Sequence, residues 1–158
     1  VNRSLNIIVK VRKDEEEHFC IIQVPQILKR VKEFYLNNKV YLILIENIII
    51  NNLNSLFEGY EIIESSMLTI YKTSELYQEI QKGNWKEESE IEKLIELKTL
   101  VENLTINTRI VTDGASNLIQ VRGNLPADKK VLIKHLEYQI SDADEASLRE
   151  YRVNLRHL

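Results

Sequence analysis

Apolar and polar residues alternate at the start of the chain and recur every three or four residues toward its end. Leu5, Ile7, Val9 and Val11 take every second position, a period that predicts a strand. The charged stretch Lys13–Glu17 predicts a turn of about five residues, and Phe19–Val24 a second strand, so the two read as a hairpin. Pro25 ends that strand because it has no N–H for the ladder, and its fixed φ suits the opening of a short helix over Gln26–Val31. Asn37-Asn38 marks a turn, and Val40–Leu44 predicts a third strand. From Glu46 to Leu56 the apolar spacing changes to three and four, through Ile48, Ile49, Leu53 and Leu56, which predicts a helix stopped at Gly59. The strand-to-helix unit Val40–Leu56 is therefore expected to organise the N-terminal half.

Tyr60–Tyr71 reads as extended chain, interrupted at Glu64-Ser65-Ser66 by a bulge, an edge or a short loop. Thr73 or Ser74 caps a short helix through Leu76, Tyr77 and Ile80, which ends at Gly83-Asn84. Trp85–Leu104 predicts the longest helix, with an apolar stripe and with Glu90, Glu92, Lys93, Glu96 and Lys98 on solvated flanks. Asp113-Gly114 signals a hairpin between Ile106–Val111 and Leu118–Arg122, and Gly123-Asn124 signals the next turn. Pro126 opens a helix whose apolar side is Val131, Leu132, Ile133, Leu136 and Ile140. Ser141, with Asp144, starts a last helix marked by Leu148, Tyr151, Leu155 and Leu158, and these two helices are expected to pair antiparallel. The sum is an α+β fold: a predominantly antiparallel sheet packed against helices, with a more helical C-terminal half. One domain over 1–158 is expected, the alternative being a boundary near 83–84, with 1–82 as one unit and 85–158 as a helical and hairpin appendage.

Composition narrows the chemistry. Of 158 residues, 44% are hydrophobic and 28% charged, an ordinary globular balance. One cysteine, Cys20, excludes an internal disulfide and points to an intracellular chain, here expected to be cytoplasmic. No apolar run approaches the ~20 residues that span a bilayer. The net charge of −3 without a dense basic tract disfavours nucleic acid as a partner. Asp14–Glu17 lacks a calcium-loop pattern; His18, His135 and His157 fit no His-Glu-x-x-His motif; Gly114 and Gly123 fit no phosphate loop. No catalytic residue and no metal ligand is assigned, and no cofactor is expected for the isolated chain. The remaining candidates are cationic: Lys129, Lys130 and Lys134 on one predicted helix and Arg149, Arg152 and Arg156 on the next. They suit phosphate groups or an acidic partner surface, arginine offering a bidentate fork.

The order of several pieces carries a resemblance. SLNIIVKVR is followed by FCIIQVPQILKRV, by YLILIENIIINNLNSLFEGY and by a strand ending TIYKTSEL. Over about residues 5–76 this resembles the head-domain region of bacterial polyphosphate kinases. That family makes polyphosphate from the terminal phosphate of ATP through a phosphohistidine. The resemblance implies a place in that scaffold, beside a phosphate-chain tunnel or a subunit contact, with ATP and Mg2+ belonging to a larger parent enzyme. The family's phosphohistidine and most of its phosphate-binding groups lie in later phospholipase-D-like domains, which nothing here resembles. No catalytic residue is carried over, and the chain beyond Gln78 departs from the family's expected helical region.

Three functions follow as expectations. The leading one is a noncatalytic scaffold module of a polyphosphate-kinase-like protein, with polyphosphate or parent-protein domains as partners. The second is a protein-interaction or regulatory domain that uses its amphipathic helices for partners or for a homo-oligomer. The third is a small enzyme with an unrecognised cleft. Neither a membrane nor nucleic acid is an expected partner.

Overall fold

A computed structural model describes residues 8–13, 16–22, 41–45, 53–84 and 86–155. Six strands are present: β1 (Ile8–Lys13), β2 (Glu16–Ile22), β3 (Tyr41–Ile45), β4 (Ile62–Ser66), β5 (Thr108–Val111) and β6 (Arg122–Leu125). The described helices are α1 (Leu53–Phe57), α2 (Glu75–Gln81), α3 (Glu90–Asn103), α4 (Lys129–Asp142) and α5 (Glu145–Asn154). The strands form one sheet in the order β3-β2-β1-β4-β5-β6. β1 pairs antiparallel with both β2 and β4, and β5 with β6, while β2–β3 and β4–β5 are parallel. The fold class is thus α+β as expected, in a mixed sheet whose strand pairs are predominantly antiparallel.

Parallel neighbours need a crossover. Between β4 and β5 it is supplied by α2 and α3, so one sheet holds strands from both sides of Gly83-Asn84. α2 has the expected cap, Ser74 Oγ accepting from Tyr77 N at 3.1 Å, and Gly83 follows it at φ +75°. α1 ends as expected before Gly59, which takes φ +81°, a conformation that costs glycine no Cβ clash. The rest of the predicted Glu46–Leu56 helix lies outside the described residues, as do the predicted Gln26–Val31 helix, Trp85, Arg156 and His157.

α3 is the centre of the described core. Its Leu94, Leu97, Leu100 and Val101 meet Ile63 of β4, Ile110 of β5 and Leu125 of β6, and α4 adds Leu132 and Leu136. Asn54 of α1 braces the C-terminal end of α3: its amide donates to Asn103 O at 2.9 Å and its oxygen accepts from Thr105 N at 2.7 Å.

Several expectations are corrected. β2 begins at Glu16, because the ladder pairs Arg12 with Glu17 and Lys13 with Glu16, leaving only Asp14 and Glu15 between the strands. Glu64-Ser65-Ser66 interrupts nothing: the three continue β4 inside the sheet, opposite Lys10, Val9 and Ile8. Pairing with β1 along all three, and with β5 at Glu64, holds them extended whatever their side chains prefer. α3 starts at Glu90 rather than Trp85, and its 14 residues are matched by the 14 of α4. Glu90, Lys93 and Glu96 are buried, not solvated. Asp113-Gly114 lies in the connection of an antiparallel β5–β6 hairpin, as expected, but the partner strand is Arg122–Leu125 rather than Leu118–Arg122. The β5–β6 connection runs from Thr112 to Val121, closed by Thr112 N donating to Val121 O at 2.9 Å and by Thr112 Oγ1 accepting from Val121 N at 2.7 Å.

Gly123-Asn124 is strand, not turn. A Cβ at Gly123 would lie 2.8 Å from Leu132 Cδ1, so glycine there lets α4 approach β6. The outer backbone edge of β6 at Asn124 is occupied from within, its N–H donating to Asp128 Oδ2 at 2.8 Å and its carbonyl accepting from Asp128 N at 2.8 Å. Val131 turns outward, 70% exposed, because α4 buries the Leu132–Leu136 side. α5 is capped by Asp144, not Ser141, and it packs against α3, the same helix that α4 covers.

Asn117 joins the β5–β6 connection to the end of β4. Its side-chain oxygen accepts from Met67 N at 2.9 Å and its amide donates to Ser65 O at 3.0 Å, both out of water. Asn117→Ala would leave a buried donor and acceptor unpaired, so a loss of about 2 kcal/mol is expected, read as a lower urea midpoint with an unchanged slope.

Candidate functional site

The most elaborate side-chain chemistry among the described residues lies where α5 crosses the start of α3. The local sequence dictates that start. Ser89 Oγ accepts from Glu92 N at 3.1 Å while Glu92 Oε2 accepts from Ser89 N at 2.8 Å, a reciprocal capping box. With the first turn placed by that box, Glu90 falls on the inward face, one turn before Lys93 and Leu94. The N–H groups of Glu90 and Ile91, which have no partner within the helix, then donate to the two carboxylate oxygens of Glu145, at 2.8 and 2.9 Å. A carboxylate at a helix N-terminus satisfies orphan donors and meets the positive end of the dipole.

Glu90 is fully buried, and a buried carboxylate must find cations. Arg152 Nε donates to its Oε2 at 2.6 Å. Lys93 Nζ donates to its Oε1 at 3.1 Å, and so does Arg149 Nη1, also at 3.1 Å. Glu87, just before the helix, accepts from Arg149 Nη1 at 2.8 Å and from Lys93 Nζ at 3.0 Å, while Arg149 Nη2 reaches its second oxygen. Arg152 has further partners: its Nη1 donates to Thr69 Oγ1 at 2.8 Å and to Ser116 O at 3.1 Å, and its Nη2 lies 3.6 Å from Met67 Sδ. One guanidinium thus ties α5 to α3, to the segment after β4 and to the β5–β6 connection.

The electrostatics follow from these contacts. Burial pushes the Glu87 carboxyl up, but the hydrogen bonds from Arg149 and the charge of Lys93 outweigh it and hold the group below its ordinary 4.5. The Glu87 hydrogen bonds push Arg149 up, so its charge persists at every working pH. A carboxylate depressed in the folded state contributes stability above its unfolded pKa and loses it as pH falls through the folded value. A shallow open groove borders the cluster, lined by Glu87, Glu88, Glu92, Asp144 and Glu145 and by the two cations Lys86 and Arg149. Its acid-rich rim repels anions.

Of the cationic candidates of the sequence, Arg149 and Arg152 are brought together on Glu90, whereas the lysines of α4 do not join them. Lys129 is half-buried and donates to Leu104 O at 3.0 Å. Lys130 and Lys134 are exposed on α4 and make no ion pair among the described residues. Arg152, buried, and Arg149, half-exposed, face the carboxylates of Glu90 and Glu87 rather than forming an outward stripe. His18 lies in β2, opposite Val11 and Tyr41, and His135 is exposed on α4. Among the described residues no group of three or more His, Cys, Asp or Glu side chains is placed to hold a metal ion. No helix among them is long and apolar enough to cross a membrane. Sequence reasoning missed Glu87, Glu90 and Lys93. The available signal was Ser89-x-x-Glu92, which moves the helix start to Ser89 and puts Glu90 and Lys93 on the same stripe as Leu94 and Leu97.

Comparison with known proteins decides the family. The family model described as the polyphosphate kinase middle domain matches residues 1–108. The chain belongs to this family. Similarity to the polyphosphate kinase family therefore extends past Gln78, through α2 and α3 to the first residue of β5, and corrects the departure expected there from the sequence. The polyphosphate kinase of Staphylococcus saprophyticus is 35% identical over 75 residues, covering 48% of this chain and 10% of that protein. Those of Staphylococcus haemolyticus and Staphylococcus epidermidis are each 29% identical over 75 residues, with the same coverage. The chain spans about a tenth of the length of the curated relatives it matches. No solved structure matches. Glu87, Glu90 and Lys93 lie within the polyphosphate kinase match; α4, α5, Arg149 and Arg152 lie beyond it.

Removing one partner of a buried ion pair strands the other. Arg152→Met and Glu90→Leu are each expected to cost about 3–5 kcal/mol, and the double substitution far less than their sum, in a denaturation double-mutant cycle. The acid limb of stability is expected to fall as pH drops below 4.5 and through the lower folded value of Glu87. In Glu87→Gln that limb should be shallower, as followed by urea midpoints at successive pH values.

Proposed function

We propose that the chain is a noncatalytic scaffold module of a cytoplasmic polyphosphate-kinase-like protein, supporting ATP or polyphosphate handling that other parts of the protein carry out. The observation that carries this reading is family membership over residues 1–108 in a chain spanning about a tenth of its relatives' length. The use of charge supports it. In the best-built cluster the carboxylates and cations serve one another, as expected of a structural joint rather than of groups held for a substrate. ATP and Mg2+ would belong to the parent protein. Lys130 and Lys134, four residues apart on the outer side of α4, are the cations best placed to meet a polyphosphate chain.

A second reading has its own observation. Val131 and Tyr138, seven residues apart on α4, are 70% and 61% exposed, an outward apolar pair suited to a protein partner or a second copy.

Polyphosphate binding by the purified chain, titrated across salt and followed alongside sedimentation, separates the two. The scaffold reading expects affinity that falls steadily as salt rises, and a loss of about tenfold at low salt for the Lys130→Glu/Lys134→Glu double variant. Salt-independent binding, or none, removes the phosphate-handling role. Self-association abolished by Val131→Asp/Tyr138→Asp would favour the second reading.

A further inference from the structure

α5 is held in an unusual way for a helix that closes a core. Arg152 is its one buried residue; Leu148 is only partly buried against the core, and Tyr151 and Val153 are 51% and 68% exposed. α4, by contrast, buries Leu132 and Leu136. What fastens α5 is charge: Glu145 on the N-terminus of α3, Arg149 on Glu87 and Glu90, and Arg152 on Glu90.

We infer that α5 is a charge-held clasp that opens as a unit, and that a polyanion such as polyphosphate opens it by taking Arg149 and Arg152 from Glu87 and Glu90. The first half rests on the balance of terms. A buried ion pair roughly breaks even against desolvation, so an element held chiefly by such pairs lies at the low end of local stability. Apolar burial, which would hold the helix at any salt concentration, is small here.

The second half rests on differential affinity, without which no ligand shifts an equilibrium. In the closed form Arg152 is inaccessible, and the groove that Arg149 lines together with Lys86 carries the carboxylates of Glu87, Glu88, Glu92, Asp144 and Glu145, which outnumber the two cations. An anion chain is repelled there. In the open form the two guanidiniums stand one turn apart, about 4.5 Å along the helix axis, and both are free to bind closely spaced phosphates. Polyphosphate then favours the open form alone. Glu90 and Lys93 lie within the family match, whereas α5 lies beyond it, so the clasp joins the polyphosphate kinase segment to the rest of the chain.

This inference rests on the reading of the chain as a polyphosphate-handling module, and the test keeps the two apart. Amide hydrogen exchange of the full 158-residue chain is measured in NaCl, in inorganic phosphate and in polyphosphate at one ionic strength. Peptides from α5 are expected to exchange about tenfold faster in polyphosphate than in the matched NaCl, with those of α4 unchanged. In Arg149→Gln, α5 should exchange faster without ligand, and the ratio between polyphosphate and NaCl should fall toward one. Equal rates in polyphosphate and matched NaCl, or α5 amides that exchange only when α4 does, overturn the clasp. Salt-sensitive polyphosphate binding with α5 unchanged overturns the clasp and leaves the scaffold standing; absence of polyphosphate binding removes both.

Discussion

Glu90 sits at 0% exposure at the start of α3, and much of the C-terminal architecture answers the need to keep its charge matched. A carboxylate there cannot be hydrated, so Arg152, Arg149 and Lys93 must supply the charge and the donors. Meeting that demand brings α5 across α3. The reach of Arg152 to Thr69, Ser116 and Met67 then fixes two connecting segments against the same helix. A neutral residue at position 90 would remove the reason for all of these placements at once.

The sheet imposes a second constraint that meets the first on α3. The parallel pairing of β4 and β5 requires a long return path, and α3 is the main part of it. The helix therefore faces three neighbours. Its leucines pack on the sheet, α4 covers another side, and the charged first turn is left for α5. Because the family match ends at the start of β5, the matched segment leaves β4 without its parallel neighbour and α3 without its two covering helices. The residues after 108 complete a sheet and a core that the family segment begins.

Local rules were legible where backbone chemistry alone decides. Alternation in Leu5–Val11 marks β1, Ser74 and Gly83 bracket α2, and Gly59 stops α1, because caps and positive-φ glycines act within a few residues of themselves. The resemblance of the first half to polyphosphate kinases was legible too, in the order of short pieces rather than in any one of them. Reading failed where a distant partner overrides local preference. Glu64-Ser65-Ser66 look like an interruption until β1 pairs along all three and β5 reaches Glu64. Gly123 looks like a turn until Leu132 closes over the place a side chain would take.

The sequence by itself determined the α+β class, most of the described strands and helices and the family, since periodicity, capping and the succession of motifs are properties of neighbouring residues. Only the tertiary structure decided what the charges do. Glu90 and Arg152 stand 62 positions apart, and both resemble solvated residues on amphipathic helices. Whether such a residue meets water or an opposite charge depends on which helix faces cross, and that is settled by packing around α3 rather than by any spacing along the chain.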